Sequence, residues 1–356
     1  MQPVRLYASQ AGKWVYCPAF PRVNNQFKSP YDPQAAIEGT QSHAVAEWIM
    51  RGRVGKMPQA TPEGIACAEA YVLRLPDGAV PEVSLSLASL GANVGRAKVD
   101  SLLFDNTYAD IMDYKFGKTP VKAKDNWQLI CYCVGVADRY PSISNFRVGI
   151  FQPRSNNHDE RETSWILTRP EVLNYKKQLQ HAARRASDPD AMCVTGSHCL
   201  WCPGLHACPA AQEAAEIACN VAAERITRVL TDYELAADIT RLQEASERLK
   251  LRLNGLYAEA TQRERIPYYE VLPGRSKTIW KYEPEVILGL LELEGLDIRK
   301  PLDLRTPIQT LNLGLSQDLY DELTEVKRGA LKLRKSDTKI FNEVIKNVKD
   351  NGSATR

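Results

Sequence analysis

The stretch GRAKVDSLLFDNTYADIMDYKFGK, residues 95–118, constrains the fold of this chain more than any other part of it. Apolar and polar positions alternate on both sides of Asp105-Asn106-Thr107, so the stretch reads as two strands joined by a turn. EVSLSLASL, at 82–90, reads as a further strand just upstream. Before it come a Pro-rich loop around Ser29–Pro33 and a helix-like run, IEGTQSHAVAEWIMRG. On that run Ile37, Ala44, Val45 and Trp48 fall near one face, with Gly52 as the stop. A second helix is expected from Pro62 to about Leu75. After the hairpin, residues 126–136 read as a buried helix, SNFRVGIFQPR as a strand and residues 170–187 as a helix. This order describes a small α/β core flanked by helices.

Beyond about residue 212 the pattern changes. Leu235, Ile239, Leu242, Ser246, Leu249, Leu253, Leu256 and Ala260 repeat in alternating steps of four and three, a heptad seam that predicts a long helix packed on a neighbour. Arg241, Arg248, Lys250 and Arg252 on it are interleaved with Glu244, Glu247 and Glu259, the mixture of a solvated helix face. A β-like segment, YYEVLPGRSKTIWKY, follows, then mixed helical segments and a polar tail, KDNGSATR. The expected division is therefore a domain over residues 1–212 and a mainly helical accessory region over 213–356.

Composition narrows the class. With 44% hydrophobic and 25% charged residues, the chain is an ordinary globular one. It has no apolar run of about eighteen residues, and its N-terminus lacks the apolar core of a signal peptide, so no membrane span is expected and the cytoplasm is the expected location. A net charge of +3 neither announces nor excludes a nucleic-acid partner, because a local groove of Lys and Arg suffices for one. In a reducing compartment the nine cysteines should be free thiols or metal ligands rather than disulfides.

Two groups of residues carry chemistry. Asp100 lies in one strand of the hairpin and Asp113 in the next; Lys115, two residues on, projects from the same face as Asp113. Carboxylates from adjacent strands can share a Mg²⁺ or Mn²⁺ ion, which polarises a phosphate and acidifies a bound water. The lysine can orient that water or stabilise charge as the phosphorane forms. An exposed ion pair on a strand would give the same Asp-x-Lys tripeptide. His43, in Glu38-Gly-Thr-Gln-Ser-His43, is placed to add a third ligand, or is a structural histidine. Gln128 and Tyr132 share a helix face and could hold a phosphate or base, although Tyr132 also suits the core.

The second group is Cys199-Leu-Trp-Cys202, with Cys208 close behind and Cys17 far upstream. A C-x₂-C pair with a third cysteine nearby is a specific metal signal. Spacing does not separate a four-cysteine zinc site from an iron–sulfur cluster, and His198 or His206 could replace a thiolate in the former. Either metal would tie the start of the core to its end. Cys67, Cys131, Cys133, Cys193 and Cys219 read as small buried hydrophobes, with Cys193 lying closest to the group.

Together these elements resemble the RecB-like and Cas4-like iron–sulfur branch of the PD-(D/E)XK nucleases, and more closely the phage and prophage family DUF2800. Cys17, Glu38–His43, Asp100 in GRAKVD, Asp113-Tyr114-Lys115, Gln128 with Tyr132, the phrase IFQPR and Cys199-x₂-Cys202-x₅-Cys208 occur in the family's order over about residues 7–212. PGRSKTIWKYE and TPIQTLNLGLS…RGALKL match more loosely. The resemblance implies a mixed central sheet flanked by helices, a [4Fe–4S] cluster on Cys17, Cys199, Cys202 and Cys208, and a Mg²⁺ or Mn²⁺ ion on His43, Asp100, Asp113 and the Tyr114 carbonyl. It implies Lys115 as the catalytic lysine and DNA as substrate. Asp113 stands where the family pattern more often has Glu, which shortens the ligand's reach.

The leading expectation is a metal-dependent deoxyribonuclease, an exonuclease more than an endonuclease, working in phage recombination or replication beside a single-strand-binding or annealing protein. The alternatives are a DNA-binding or scaffolding protein with a vestigial site, and a zinc-stapled regulatory protein.

Overall fold

The computed structural model describes residues 4–29, 33–155, 157–263, 266–282, 284–296, 299–300, 303–304 and 306–335. The centre of the Pro-rich loop and the polar tail lie outside these residues. The chain divides into two compact units, Met1–Leu256 and Tyr257–Arg356.

In the first unit, α1 (Ala11–Trp14), α2 (Phe20–Gln26), α3 (Gln34–Met50) and α4 (Pro62–Val72) precede β1 (Val80–Leu85), β2 (Ala97–Phe104) and β3 (Tyr108–Tyr114). Then come α5 (Trp127–Arg139), β4 (Asn145–Phe151), β5 (Glu162–Thr168), α6 (Arg169–Ala186), α7 (Pro209–Ala223) and α8 (Asp232–Ala260), whose last four residues belong to the second unit. The five strands form one sheet in sequence order. β3 pairs with β4 in parallel and every other neighbour is antiparallel, so the sheet is mixed. The parallel step requires a crossover, which α5 supplies.

Alternation along β3 sorts the two faces. Ala109 and Ile111 join the core beneath α5 and α6, whereas Met112, Tyr114 and Phe116 pack with Val45 and Ala46 of α3 and Ala68 and Tyr71 of α4. A Cβ at Gly135 of α5 would lie 2.8 Å from Leu85 Cβ, so that helix presses on β1 at a contact only glycine permits.

The hairpin and its helices fall where the sequence predicts. EVSLSLASL differs at its end: β1 stops at Leu85 and residues 88–90 form a 3-10 turn. The strand β5, with Trp165 and Leu167 turned inward and Ser164, Ile166 and Thr168 exposed, is an addition to the expected set. The heptad helix forms as α8, but Leu235, Ile239, Leu242, Leu253 and Leu256 remain exposed. α8 packs through another face: Leu251 meets Cys199, Leu205 and Ala211, and a Cβ on Gly255 would lie 2.7 Å from the Leu205 side chain.

The second unit contains β6 (Tyr269–Trp280), α9 (Pro284–Leu293), β7 (Arg299–Lys300), β8 (Asp303–Leu304), α10 (Pro307–Leu311), α11 (Gln317–Leu323) and β9 (Thr324–Lys335). β6 and β9 form a long antiparallel ladder, and Ile287, Leu291, Leu315 and Leu323 form a small core. The expectation of a mainly helical region after 212 therefore holds for α7 and α8 but needs correction beyond them, because TEVKRGALKLRK pairs with the β-like segment instead of continuing a helix. No helix among the described residues is long and apolar enough to cross a membrane.

Candidate metal centre

Strand register assembles the acidic residues. The β2–β3 ladder ends at Ser101↔Met112, and one step further Asp100 comes opposite Asp113. The β1–β2 ladder pairs Pro81 with Ser101 and Val83 with Val99, which brings Glu82 opposite Asp100. Glu82, Asp100 and Asp113 thus form a row across three adjacent strands.

Asp113 is 1% exposed and faces α5. Lys115 Nζ lies 2.7 Å from its Oδ2, and Gln128 Nε2 donates to its Oδ1 at 3.1 Å. The Lys115 amine also donates to Gln128 Oε1 (3.2 Å), and Gln128 Nε2 lies 2.5 Å from the Tyr132 hydroxyl. Asn126 fixes this arrangement from below: its side chain caps α5 by accepting from the backbone N–H groups of Gln128 and Leu129. Gln128 and Tyr132, one turn apart, then reach the same carboxylate.

Asp100 is held differently. Its Oδ2 accepts the Tyr114 N–H at 2.8 Å, and its Oδ1 lies 3.4 Å from His43 Nδ1. His43 comes from α3, in the helix layer on the opposite face, and its ring sits 4.9 Å from that of Tyr114. The Tyr114 hydroxyl is 2.8 Å from Ser42 Oγ and the ring stacks on Tyr71, so the neighbour of His43 anchors the strand bearing Asp113.

Electrostatics follow from burial and crowding. Burial pushes the Asp113 carboxyl above its ordinary range, with Lys115 pulling the other way and Asp100 adding to the rise. Burial disfavours the Lys115 ammonium, but Asp113 and Asp100 outweigh it and hold its pKa above the usual value. Burial likewise opposes charge on His43, and Asp100 and Asp113 together overcome it and raise the pKa. Burial raises Tyr132 well above an ordinary phenol. A buried row of carboxylates is costly without a cation. The donors are oxygens and an imidazole. This set suits a Mg²⁺ or Mn²⁺ ion.

Glu82 is the member that sequence reasoning missed. A donor atom of His43, of Glu82 and of Asp100 all lie within 4.8 Å of one another, the one such trio among the described residues. The expected trio had Asp113 in place of Glu82; Asp113 instead meets Lys115, Gln128 and Tyr132, and Asp100 links the two groups. Glu82 pairs with Lys98, and burial raises its pKa. Its φ of 56° is left-handed, a strained conformation for a residue with a side chain. The available signal was its place at the head of a strand beside the hairpin. Glu82→Gly should lower Mn²⁺ affinity measured by calorimetry while leaving stability unchanged or raised by up to about 1 kcal/mol; an unchanged affinity would remove Glu82 from the centre.

The cysteines converge at a separate place. Cys17, Cys199, Cys202 and Cys208 line one small cavity, and Cys193 lines it with them, so Cys193 is more than the buried hydrophobe expected. Burial, then the nearby Cys208 and Cys17, push the Cys193 thiol up to about 12, and burial lifts Cys199 to about 11. Lys13 Nζ donates to the Trp201 carbonyl (3.1 Å) and Arg22 Nη2 to that of Ala191 (2.9 Å), so the N-terminal helices clasp the cysteine loop. A Cβ on Gly204 would lie 2.8 Å from the Phe27 ring, which keeps that position to glycine. Among the described residues no three thiols gather within 4.8 Å of one another.

No curated protein matches the chain. Three solved structures are similar to part of the chain: SSO0001 (15% identity, TM-score 0.37, 59% of this chain and 88% of that one), an alkaline exonuclease from Laribacter hongkongensis (10%, 0.27, 52% and 89%) and a phage-related exonuclease from Haemophilus somnus 129PT (11%, 0.26, 52% and 94%). The profile of the family described as "Protein of unknown function (DUF2800)" matches residues 4–70 and 87–306, including every candidate site residue except Glu82. With most of its length so matched, the chain belongs to the DUF2800 family.

Proposed function

We propose that the protein is a Mg²⁺- or Mn²⁺-dependent deoxyribonuclease of the PD-(D/E)XK type that digests DNA from its ends. The observation carrying this reading is the row Glu82–Asp100–Asp113 with Lys115 at 2.7 Å from the buried member. His43, Asp100, Asp113 and the Tyr114 carbonyl, with Glu82 as a further donor, would hold a divalent ion, which would supply Lewis-acid polarisation of the phosphate and acidify a bound water. Lys115 is placed to stabilise negative charge as the phosphorane forms. Gln128 fixes Lys115 and Asp113 relative to each other, and Tyr132 closes that network against the core. Asp100 holds the His43 ring, and the Tyr114 N–H holds Asp100.

Cys17, Cys199, Cys202 and Cys208 are the proposed ligands of a [4Fe–4S] cluster that closes the domain. Residues 1–212 hold all of these groups, and a phage single-strand-binding or annealing protein is the proposed partner for end resection in a bacterial cytoplasm.

Anaerobically purified protein should be brown and, with Mg²⁺ or Mn²⁺, shorten end-labelled linear DNA while sparing closed circles. Cut circles would replace the exonuclease with an endonuclease. Intact DNA of both kinds with either metal would refute the enzyme and favour a DNA-binding or scaffolding role.

A further inference from the structure

Beside Gln128 opens a cavity of about 300 Å³. Lys13, Asn126, Gln128, Ser197, His198 and Trp201 line it. Its size lies at the lower end of the range for small-molecule sites, ~300–1,000 Å³. Aromatic rings gather at this place. Tyr16 stacks on His198, with ring centroids 5.8 Å apart and planes 20° from parallel. Trp127 meets Tyr16 edge-on and its indole N–H donates to the Tyr16 hydroxyl at 3.0 Å, which holds the end of the tyrosine ring. Tyr16 is nevertheless 51% exposed and Trp201 48% exposed. Trp127 begins α5 one residue before Gln128, so this aromatic group adjoins the catalytic network directly.

Charge points to the same ligand. Lys13 lines the cavity, and Lys118 and Lys124 stand exposed on the loop that leads from β3 to α5, where Lys122 pairs with Glu160 at 2.9 Å. Half-exposed aromatic rings beside a lysine form the arrangement that single-stranded nucleic acid exploits, with bases stacking on rings and phosphates pairing with cations. Within a duplex the bases stack on each other, and only the terminal pair has a face to offer such rings.

We propose that Tyr16, braced by His198 and Trp127, and Trp201 seat unpaired bases of single-stranded DNA next to the scissile bond. The proposal rests on the nuclease reading and names its substrate as a single strand. His198 and Trp201 flank or lie within the Cys199-x₂-Cys202 loop, so the cysteine clasp also builds a wall of the substrate site.

The test is fluorescence anisotropy with a labelled single-stranded oligonucleotide and a blunt duplex of the same sequence, without divalent metal, using the full-length Lys115→Ala protein as background. The single strand should bind more tightly than the duplex. Tyr16→Ala and Trp201→Ala should each weaken single-strand binding about tenfold, with duplex binding changed less than about twofold. Tyr16→Phe, which keeps the ring and loses the bond to Trp127, should retain the affinity. Equal affinity for both DNAs, or full single-strand affinity in both alanine variants, would overturn the proposal. Equal losses in Tyr16→Phe and Tyr16→Ala would overturn it too, by assigning Tyr16 a structural role. A wild-type protein that shows this binding but cuts no DNA would sink the nuclease reading and leave the single-strand site standing.

Discussion

Lys115→Ala is expected to reduce Mg²⁺-dependent cleavage by about 10²- to 10³-fold, the effect of removing one preorganised charge-stabilising group from a buried centre. It also has a consequence for stability. Lys115 is 28% exposed, and its removal leaves Asp113 buried without its cation. Breaking a buried pair in this way costs up to about 3–5 kcal/mol where the surviving group remains charged. Asp113 avoids part of that cost by taking up a proton. Its folded pKa is already raised by burial, and the loss of Lys115 raises it further. A carboxyl with a raised folded pKa contributes stability that is present below its unfolded pKa and lost as pH rises through the folded one. The metal-free variant should therefore lose more stability than the wild type between pH 4 and pH 8, and added Mg²⁺ should recover part of it. Urea unfolding at both pH values measures the difference. Parallel pH dependence in the two proteins would show that Lys115 does not govern the Asp113 charge.

Cys199→Ser is expected to have the larger effect on the fold. Structural metal binding supplies on the order of 10 kcal/mol in small metal-dependent domains, comparable to the whole stability of a typical domain. In this protein Cys17, between α1 and α2, and the cysteines of the loop after α6 line one cavity. The sheet and its two helix layers have their own core, so the variant should keep helical content while losing the brown colour, its cooperative unfolding transition and the clasp. Cys193→Ser, which removes the fifth thiol of the cavity, should retain the colour. A colourless Cys193→Ser protein beside a brown Cys17→Ser one would exchange their assignments.

Much of this was legible in the chain. The hairpin announced itself because β2 and β3 alternate so regularly, and the same alternation placed Asp113 and Lys115 on one face. Gln128 and Tyr132 were legible from helical spacing once α5 was recognised. Glu82 was not, because its membership depends on the register between β1 and β2, and a polar residue at the head of a strand looks the same whether it meets water or Asp100. Cys193 escaped for a similar reason: it lacks a C-x₂-C partner and joins the others only through the fold of the loop. The heptad seam of α8 misled about packing, since spacing identifies an apolar face without saying which face the rest of the chain covers. β6 and β9 lie far apart in sequence, and their pairing is a non-local contact that local pattern does not encode.

The most direct test of the metal centre is an anomalous difference map, recorded at the manganese edge, from crystals soaked in Mn²⁺. A single strong peak among His43, Asp100, Asp113 and the Tyr114 carbonyl, within about 2.0–2.3 Å of the donor atoms, is the predicted result. A map with no peak there, at a Mn²⁺ concentration that supports DNA cleavage, would contradict the assignment and move the chemistry elsewhere on the protein.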